Sequence, residues 1–160
     1  MASQRSEPVQ AAAASVFRRL PRPLRWRLIR TVAPTFTVGA ALVATDQDGR
    51  VLLVLQRHSG RWALPGGLLN RGEQPDVALC RELLEELSLR MSPARLPQPV
   101  VHVAPRPRRV DLLYRWADPL PGEPAATGPE VLEMGWFALD ALPPMTGPAR
   151  QALAVAGLRR

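Results

Sequence analysis

Three glutamates, Glu82, Glu85 and Glu86, stand at spacings i, i+3 and i+4. On a helix that spacing places all three carboxylates on one face. Like charges so placed destabilise a helix by roughly 0.2–0.5 kcal/mol per pair. Arg81, four residues before Glu85, offsets part of this cost. A hard divalent cation would offset more, because Mg2+ takes oxygen ligands and keeps waters and substrate phosphates around it. The Gly66-Gly67 step upstream lets the backbone approach a ligand closely, so that a carbonyl can join the set. A glutamate-rich face is ordinarily just solvated, so the metal reading needs support from the wider pattern.

The elements that must position these residues follow from local patterning. Pro75 suits a first helical position, and Leu79, Leu83 and Leu87 recur every four residues, which predicts a helix over 75–87 with its leucines in the core. The carboxylate side then points outward toward the glycine turn. Residues 35–45 and 51–57 read as two strands around Asp46–Gly49, and the Asp-Gly signal predicts a hairpin. Those aspartates do not make a calcium loop, because Gly49 falls fourth and Arg57 twelfth where Gly should be sixth and Glu twelfth. Residues 61–72 are rich in turn formers. Further strands are expected at 98–103, 110–117 and 131–137, and a final helix at 148–157. The class is α/β (α+β) with a mixed sheet.

Length and composition fit one domain with a real core: 160 residues, 46% hydrophobic. The net charge of +7 is unevenly placed. Residues 1–30 hold seven Arg against Glu7, and residues 31–160 hold fourteen Arg against thirteen acids. We therefore divide the chain into a basic N-terminal arm, 1–30, and a main domain, 31–160. Within the arm, residues 1–15 are expected to be disordered. Residues 16–30 are expected to form a short helix packing its Leu/Trp face on the domain, with Pro21 and Pro23 breaking any continuous helix. A membrane-surface or nucleic-acid arm is the sharper reading of the same residues. Cys80 is the single cysteine, which excludes an internal disulfide. No apolar run approaches the ~20 residues of a membrane span, and the start lacks signal-peptide character. A soluble cytoplasmic protein is the expectation.

Gly67, Glu73, Arg81, Glu82, Leu83, Glu85, Glu86 and Leu89 fall in one register that resembles the signature of the Nudix hydrolase family. Six fixed residue types match, each used at roughly 5–7%, so chance gives on the order of 10⁻⁷ per start position. Ser88 stands where the signature has a helix-ending glycine. Outside this box, Trp62, Leu64, Pro65, Gly66 and Gly67 match a segment often found just before it. Glu130 and Glu133 precede Trp136 and Phe137 as acids do before a late Trp-Phe pair in the family. The resemblance covers residues 35–142.

The resemblance implies a Nudix-like α/β/α sandwich with a mixed central sheet, and a pyrophosphohydrolase acting on a nucleoside diphosphate derivative or triphosphate. It implies Mg2+ (or Mn2+) held by Glu82, Glu85, Glu86 and the carbonyl of Gly67. Arg81 would orient Glu73 and a helix carboxylate behind these ligands. The general base would be Glu85 or Glu86, ahead of Glu130 and then Glu133. For substrate phosphates the candidates are Arg57, Arg61 and the cluster Arg106, Arg108 and Arg109. For base stacking they are Trp62 and Tyr114. His58 and His102 lack a second ligand at metal spacing, and Cys80 is expected to be buried and inert. The expected partner is a small-molecule nucleotide, with nucleic acid reached only through the basic arm and a homodimer left open. The competing readings are a Nudix-fold nucleotide-binding module without catalysis, and an RNA 5′-end pyrophosphohydrolase.

Overall fold

The computed structural model describes residues 17–106 and 108–158. The expectation for residues 1–15 lies outside them. The chain divides into two compact units, the first ending at Thr35 and the second starting at Phe36. In the first unit, α1 spans Arg22–Val32. Pro21 separates it from a helical turn at 17–19, as expected of a proline there. Pro23 does not break the helix. It sits in the first turn, where its missing N–H would have had no partner anyway.

The second unit contains β1 (Thr37–Ala44), β2 (Val51–Gln56), β3 (Arg61–Ala63), β4 (Gly66–Leu68), α2 (Pro75–Leu87) and a 3-10 turn at Pro93–Arg95. It continues with β5 (Val100–Pro105), β6 (Arg108–Trp116), β7 (Val131–Phe137) and α3 (Gly147–Val155). One sheet has the order β4-β1-β6-β5 and is mixed, because β1 and β6 run parallel while the other pairs are antiparallel. The other has the order β3-β2-β7 and is antiparallel throughout.

Both β1 and β2 read as nearly unbroken apolar runs because they are buried on both faces. Leu42, Ala44, Leu52 and Val54 join Leu79, Leu83 and Leu87 of α2 in one core cluster. Val43, Val51 and Leu53 join Ala149, Ala152 and Leu153 of α3 in the other. The result is the α/β/α sandwich. Leu79, Leu83 and Leu87 are fully buried, and each contributes roughly 1.5–3 kcal/mol by leaving water. That packing fixes the rotation of α2, and with it the direction of every glutamate on the helix.

Two expectations change. The turn after β1 forms, with Asp46 accepting hydrogen bonds from the backbone N–H groups of Asp48 and Arg50, but no hairpin follows. A single bridge, Thr45 to Val51, links the two strands before they part into different sheets. Each is central in its own sheet, β1 between β4 and β6 and β2 between β3 and β7, so neither has an edge free for the other. The stretch 61–72 also holds two strands, β3 and β4. Each is three residues long, too short to show any alternation in the sequence.

Candidate active site

A cleft of about 670 Å³ opens beside the N-terminal half of β1 and is bordered by Gly66, Gly67, Arg81, Glu82, Glu86 and Glu130. Its first wall is β4. Gly66 has φ 131°, in the left-handed half of conformational space, and a Cβ there would run into the backbone carbonyl of Ala40. Only glycine lets β4 pair this closely with β1. The N–H of Gly66 then donates to Glu86 Oε2 at 2.9 Å. Any Cβ on Gly67 would collide with the carboxylate of Glu82, so that carboxylate lies directly against the glycine main chain.

The second wall is α2. Glu86 is turned inward and only 7% exposed, where the sequence pattern had placed the whole carboxylate face outward. Burial pushes its carboxyl up to about 7, with the negative charges of Glu82, Glu130 and Glu85 adding to the effect and the Gly66 hydrogen bond opposing it. Arg81 occupies the centre of the acidic group. Its Nε donates to Glu73 Oε1 at 3.0 Å, its Nη2 to Glu73 Oε2 at 3.0 Å, and its Nη1 to Glu82 at 2.8 Å and Glu85 at 3.4 Å. The Arg81 guanidinium holds the Glu73 carboxyl below its ordinary value. Glu73 also accepts from the N–H of Asn70 at 2.8 Å, which ties the loop before α2 to this network.

The third wall is the loop before β7, and it is clamped to the C-terminus of α2. The N–H of Ala125 donates to the Leu87 carbonyl and that of Thr127 to the Glu86 carbonyl, each at 3.0 Å. These satisfy acceptors that a helix end leaves open. Gly128 comes so near that a Cβ would lie 2.7 Å from the Glu85 carbonyl oxygen. From the other side, Arg57 Nε donates to the Pro129 carbonyl at 2.7 Å and the Arg57 N–H to the Glu130 carbonyl at 2.8 Å. Glu130 is thereby delivered to the cleft, close enough for its charge to act on Glu86.

Ser88 ends α2 in the left-handed conformation, φ 54° and ψ 21°, the conformation glycine ordinarily supplies. It is the single non-glycine with positive φ among the described residues. Its Oγ donates to Thr127 Oγ1 at 3.1 Å, so the substituted side chain helps hold the clamp.

The structure brings Gly67, Glu82, Glu86, Arg81 and Glu130 to one cleft, with Glu73 behind Arg81. Glu85 is largely exposed beside Arg81 and does not line the cleft. Among the described residues, no three His, Cys, Asp or Glu side chains converge closely enough to chelate one ion as they stand. Glu82 and Glu85 are instead paired with Arg81, at 2.8 and 3.4 Å. The donor chemistry nevertheless suits a hard dication: all oxygen, with excess negative charge around a buried carboxylate and a main-chain turn within contact.

The substrate candidates divide. Arg57 is committed to the Glu130 loop, and Arg61 is exposed on β3 away from the cleft lining. Trp62 packs edge-on against Phe137 at 4.6 Å. Tyr114 is 4% exposed in the core, with no ring face open to a base. Of the three-arginine cluster, Arg109 reaches the cleft, where its Nε donates to the buried Asp111. Sequence reasoning missed Asp111 and the cleft positions of Gln56 and His58. An aspartate in the apolar run Val110–Leu113 was the signal available for the first. The cleft role of the other two depends on how β2 and β7 meet and has no local signature.

A family model described as the NUDIX domain matches residues 35–156. A MutT-like protein of Streptomyces ambofaciens is 38% identical over 61 residues, covering 38% of this chain and 40% of that protein. A CMP-5'-(N-acetyl-N-hydroxy-3-aminopropyl)phosphonate hydrolase of Streptomyces rubellomurinus is 31% identical over 110 residues, covering 64% of this chain and 52% of that protein. The chain thus spans about half the length of these two relatives. The crystal structure of a MutT NUDIX hydrolase from Burkholderia pseudomallei superposes with a TM-score of 0.63 at 33% identity, covering 76% of this chain and 98% of that one.

Proposed function

The chain belongs to the Nudix hydrolase family, and from that premise we propose that it is a metal-dependent pyrophosphohydrolase cleaving a diphosphate linkage in a nucleoside diphosphate derivative or a nucleoside triphosphate. One observation carries the reading. A buried glutamate, Glu86, is held by a glycine turn and faces a second acid, Glu130, on a clamped loop, and both border one cleft. Such a site is acidic, shaped and partly dry, which suits a cationic cofactor and the phosphates it neutralises.

Glu82, Glu85, Glu86 and the Gly67 carbonyl are the groups that would hold Mg2+ or Mn2+. When bound, the ion supplies charge neutralisation of phosphoryl oxygens and acidification of a water. To hold it, Glu82 and Glu85 would have to turn from the Arg81 guanidinium, and Glu73 would keep Arg81 in place behind them. Glu86 lines the cleft and Glu85 does not, so Glu86 is the favoured base, with Glu130 second. The base takes a proton from the water that attacks phosphorus, and the bridging P–O bond breaks toward the leaving phosphate. Arg109 borders the cleft with its Nε on Asp111, and its terminal guanidinium nitrogens are the groups that would meet substrate phosphate. We place this activity in the cytoplasm, on small nucleotides.

The experiment is a panel of nucleoside triphosphates, nucleotide sugars, ADP-ribose and dinucleoside polyphosphates, assayed with Mg2+, with Mn2+ and with EDTA. Phosphate or nucleotide release that requires metal supports the enzyme. Binding without turnover supports a nucleotide-binding module instead. Glu86→Gln and Glu130→Gln are assayed at saturating Mg2+. If both keep wild-type turnover, the site assignment is wrong.

A further inference from the structure

The first unit carries a surface that catalysis leaves unused. Residues 17–32 contain six arginines and no acid. Within α1, Leu24 is 51% exposed, Trp26 65%, Leu28 48% and Ile29 37%. Leu24 and Leu28 are four apart and Trp26 and Ile29 three apart, so each pair stacks along the helix. The two pairs flank Arg25, whose Nε is turned back onto the Leu20 carbonyl at 2.8 Å. Its charge is thereby drawn toward the start of the helix and off the apolar strip. Arg27 falls opposite Arg25 by helical spacing, while Thr31 lies beside Leu28, its Oγ1 donating to the Leu28 carbonyl at 2.7 Å.

We propose that α1 is a surface anchor that lies flat on an anionic lipid bilayer. Leucine, isoleucine and tryptophan side chains would enter the boundary between head groups and acyl chains, and the arginines would engage anionic head groups. Charge complementarity is the first argument: with six cations and no acid, this segment is attracted to a negatively charged surface and meets no repulsion of its own. The apolar pairs decide between two polyanions. Nucleic acid phosphates would employ the arginines but leave Leu24, Leu28 and Ile29 in water, whereas a bilayer interface accepts both kinds of side chain. Length excludes spanning. Eleven residues extend about 16 Å, against roughly 30 Å of hydrocarbon, and no helix among the described residues is long and apolar enough to cross.

The test uses the full chain in flotation with phosphatidylcholine vesicles, with and without phosphatidylglycerol, at low and high salt. The expected result is binding only to the anionic vesicles, weakened by salt. Replacing three exposed arginines together (Arg19→Gln, Arg22→Gln, Arg27→Gln) should weaken it on the order of a hundredfold, at about fivefold per cation. The apolar variant (Leu24→Ser, Leu28→Ser) should weaken it as well. The two variants are read separately, so that misfolding of one leaves the other decisive. A single-stranded RNA oligonucleotide serves as competitor. No binding to anionic vesicles, equal binding to neutral ones, or binding untouched by the leucine changes would overturn the proposal. So would RNA held more tightly than vesicles in a manner that depends on the arginines alone.

Discussion

Replacing Glu86 by glutamine should make the metal-free protein more stable while disabling it, and the gain should depend on pH in a way the geometry dictates. Glu86 is buried at 7% exposure, and its carboxyl is raised from 4.5 to about 7. That gap corresponds to about 3 kcal/mol, as an upper figure. The sign follows from proton counting. Between pH 4.5 and 7 the folded protein holds a proton on Glu86 that the unfolded chain has released. Wild-type stability therefore falls as pH rises through this window and levels off above it. Glutamine carries no charge to bury, and its side-chain oxygen can still accept from the Gly66 N–H.

The advantage of the variant should thus be near zero at pH 4.5 and reach about 3 kcal/mol at pH 8. For a chain of this size that is roughly 6–12 °C in melting temperature. The assay is thermal melting of both proteins in EDTA across this range, compared pH by pH so that other titrating groups cancel. An advantage that is absent at pH 8, or equal at pH 5 and pH 8, would refute the claim that Glu86 is a strained buried acid. In the presence of Mg2+ and substrate, the same variant should lose about 10²- to 10⁴-fold in kcat if Glu86 is the base.

Gly128→Ala should push the acid-bearing loop off the end of α2, because the new methyl meets backbone at 2.7 Å and no side chain can yield. Turnover should drop at least tenfold with a loss of about 1–2 kcal/mol in denaturant melts, and wild-type kcat would contradict the clamp. Arg81→Gln removes a competitor for Glu82 and Glu85 but also unties Glu73 and the loop before α2 from the helix; the loss of positioning should prevail and cost about 10-fold in apparent metal affinity, measured as the Mg2+ concentration for half-maximal rate. Tyr114→Phe should leave KM within about twofold, since the ring is core and not a base platform; a large rise in KM would place Tyr114 at the substrate after all. Ser88→Gly should relieve a left-handed serine and gain up to about 1 kcal/mol in thermal unfolding, reduced by loss of the Thr127 contact.

The sequence carried much of this architecture because the informative signals were local. A four-residue leucine repeat after Pro75 sets both the limits and the buried face of α2, and the run Val131–Phe137 appears as a strand with the bounds expected of it. What could not be read depended on distant partners. The hairpin expectation rested on a turn that does form, yet the destinations of β1 and β2 are chosen by β4, β6, β3 and β7. Glu86 and Glu85 are adjacent and chemically identical, but one is buried and the other exposed, because neighbouring helix positions point about 100° apart and the leucine packing turns only Glu86 toward the Gly66 N–H. Residue type alone leaves Tyr114 and Trp62 as candidates for stacking beside the commoner core or rim packing. Inward pleat and the Phe137 contact decide for packing.

The anchoring of the Glu130 loop has an evolutionary corollary. The carboxylate is located by bonds immediately beside it, to the end of α2 and to Arg57, and not by the path the chain takes from Trp116. Insertions or deletions within 117–124 should therefore be tolerated without displacing the acid. Descendants of this sequence are free to vary that segment in length and composition while the acid stays in register.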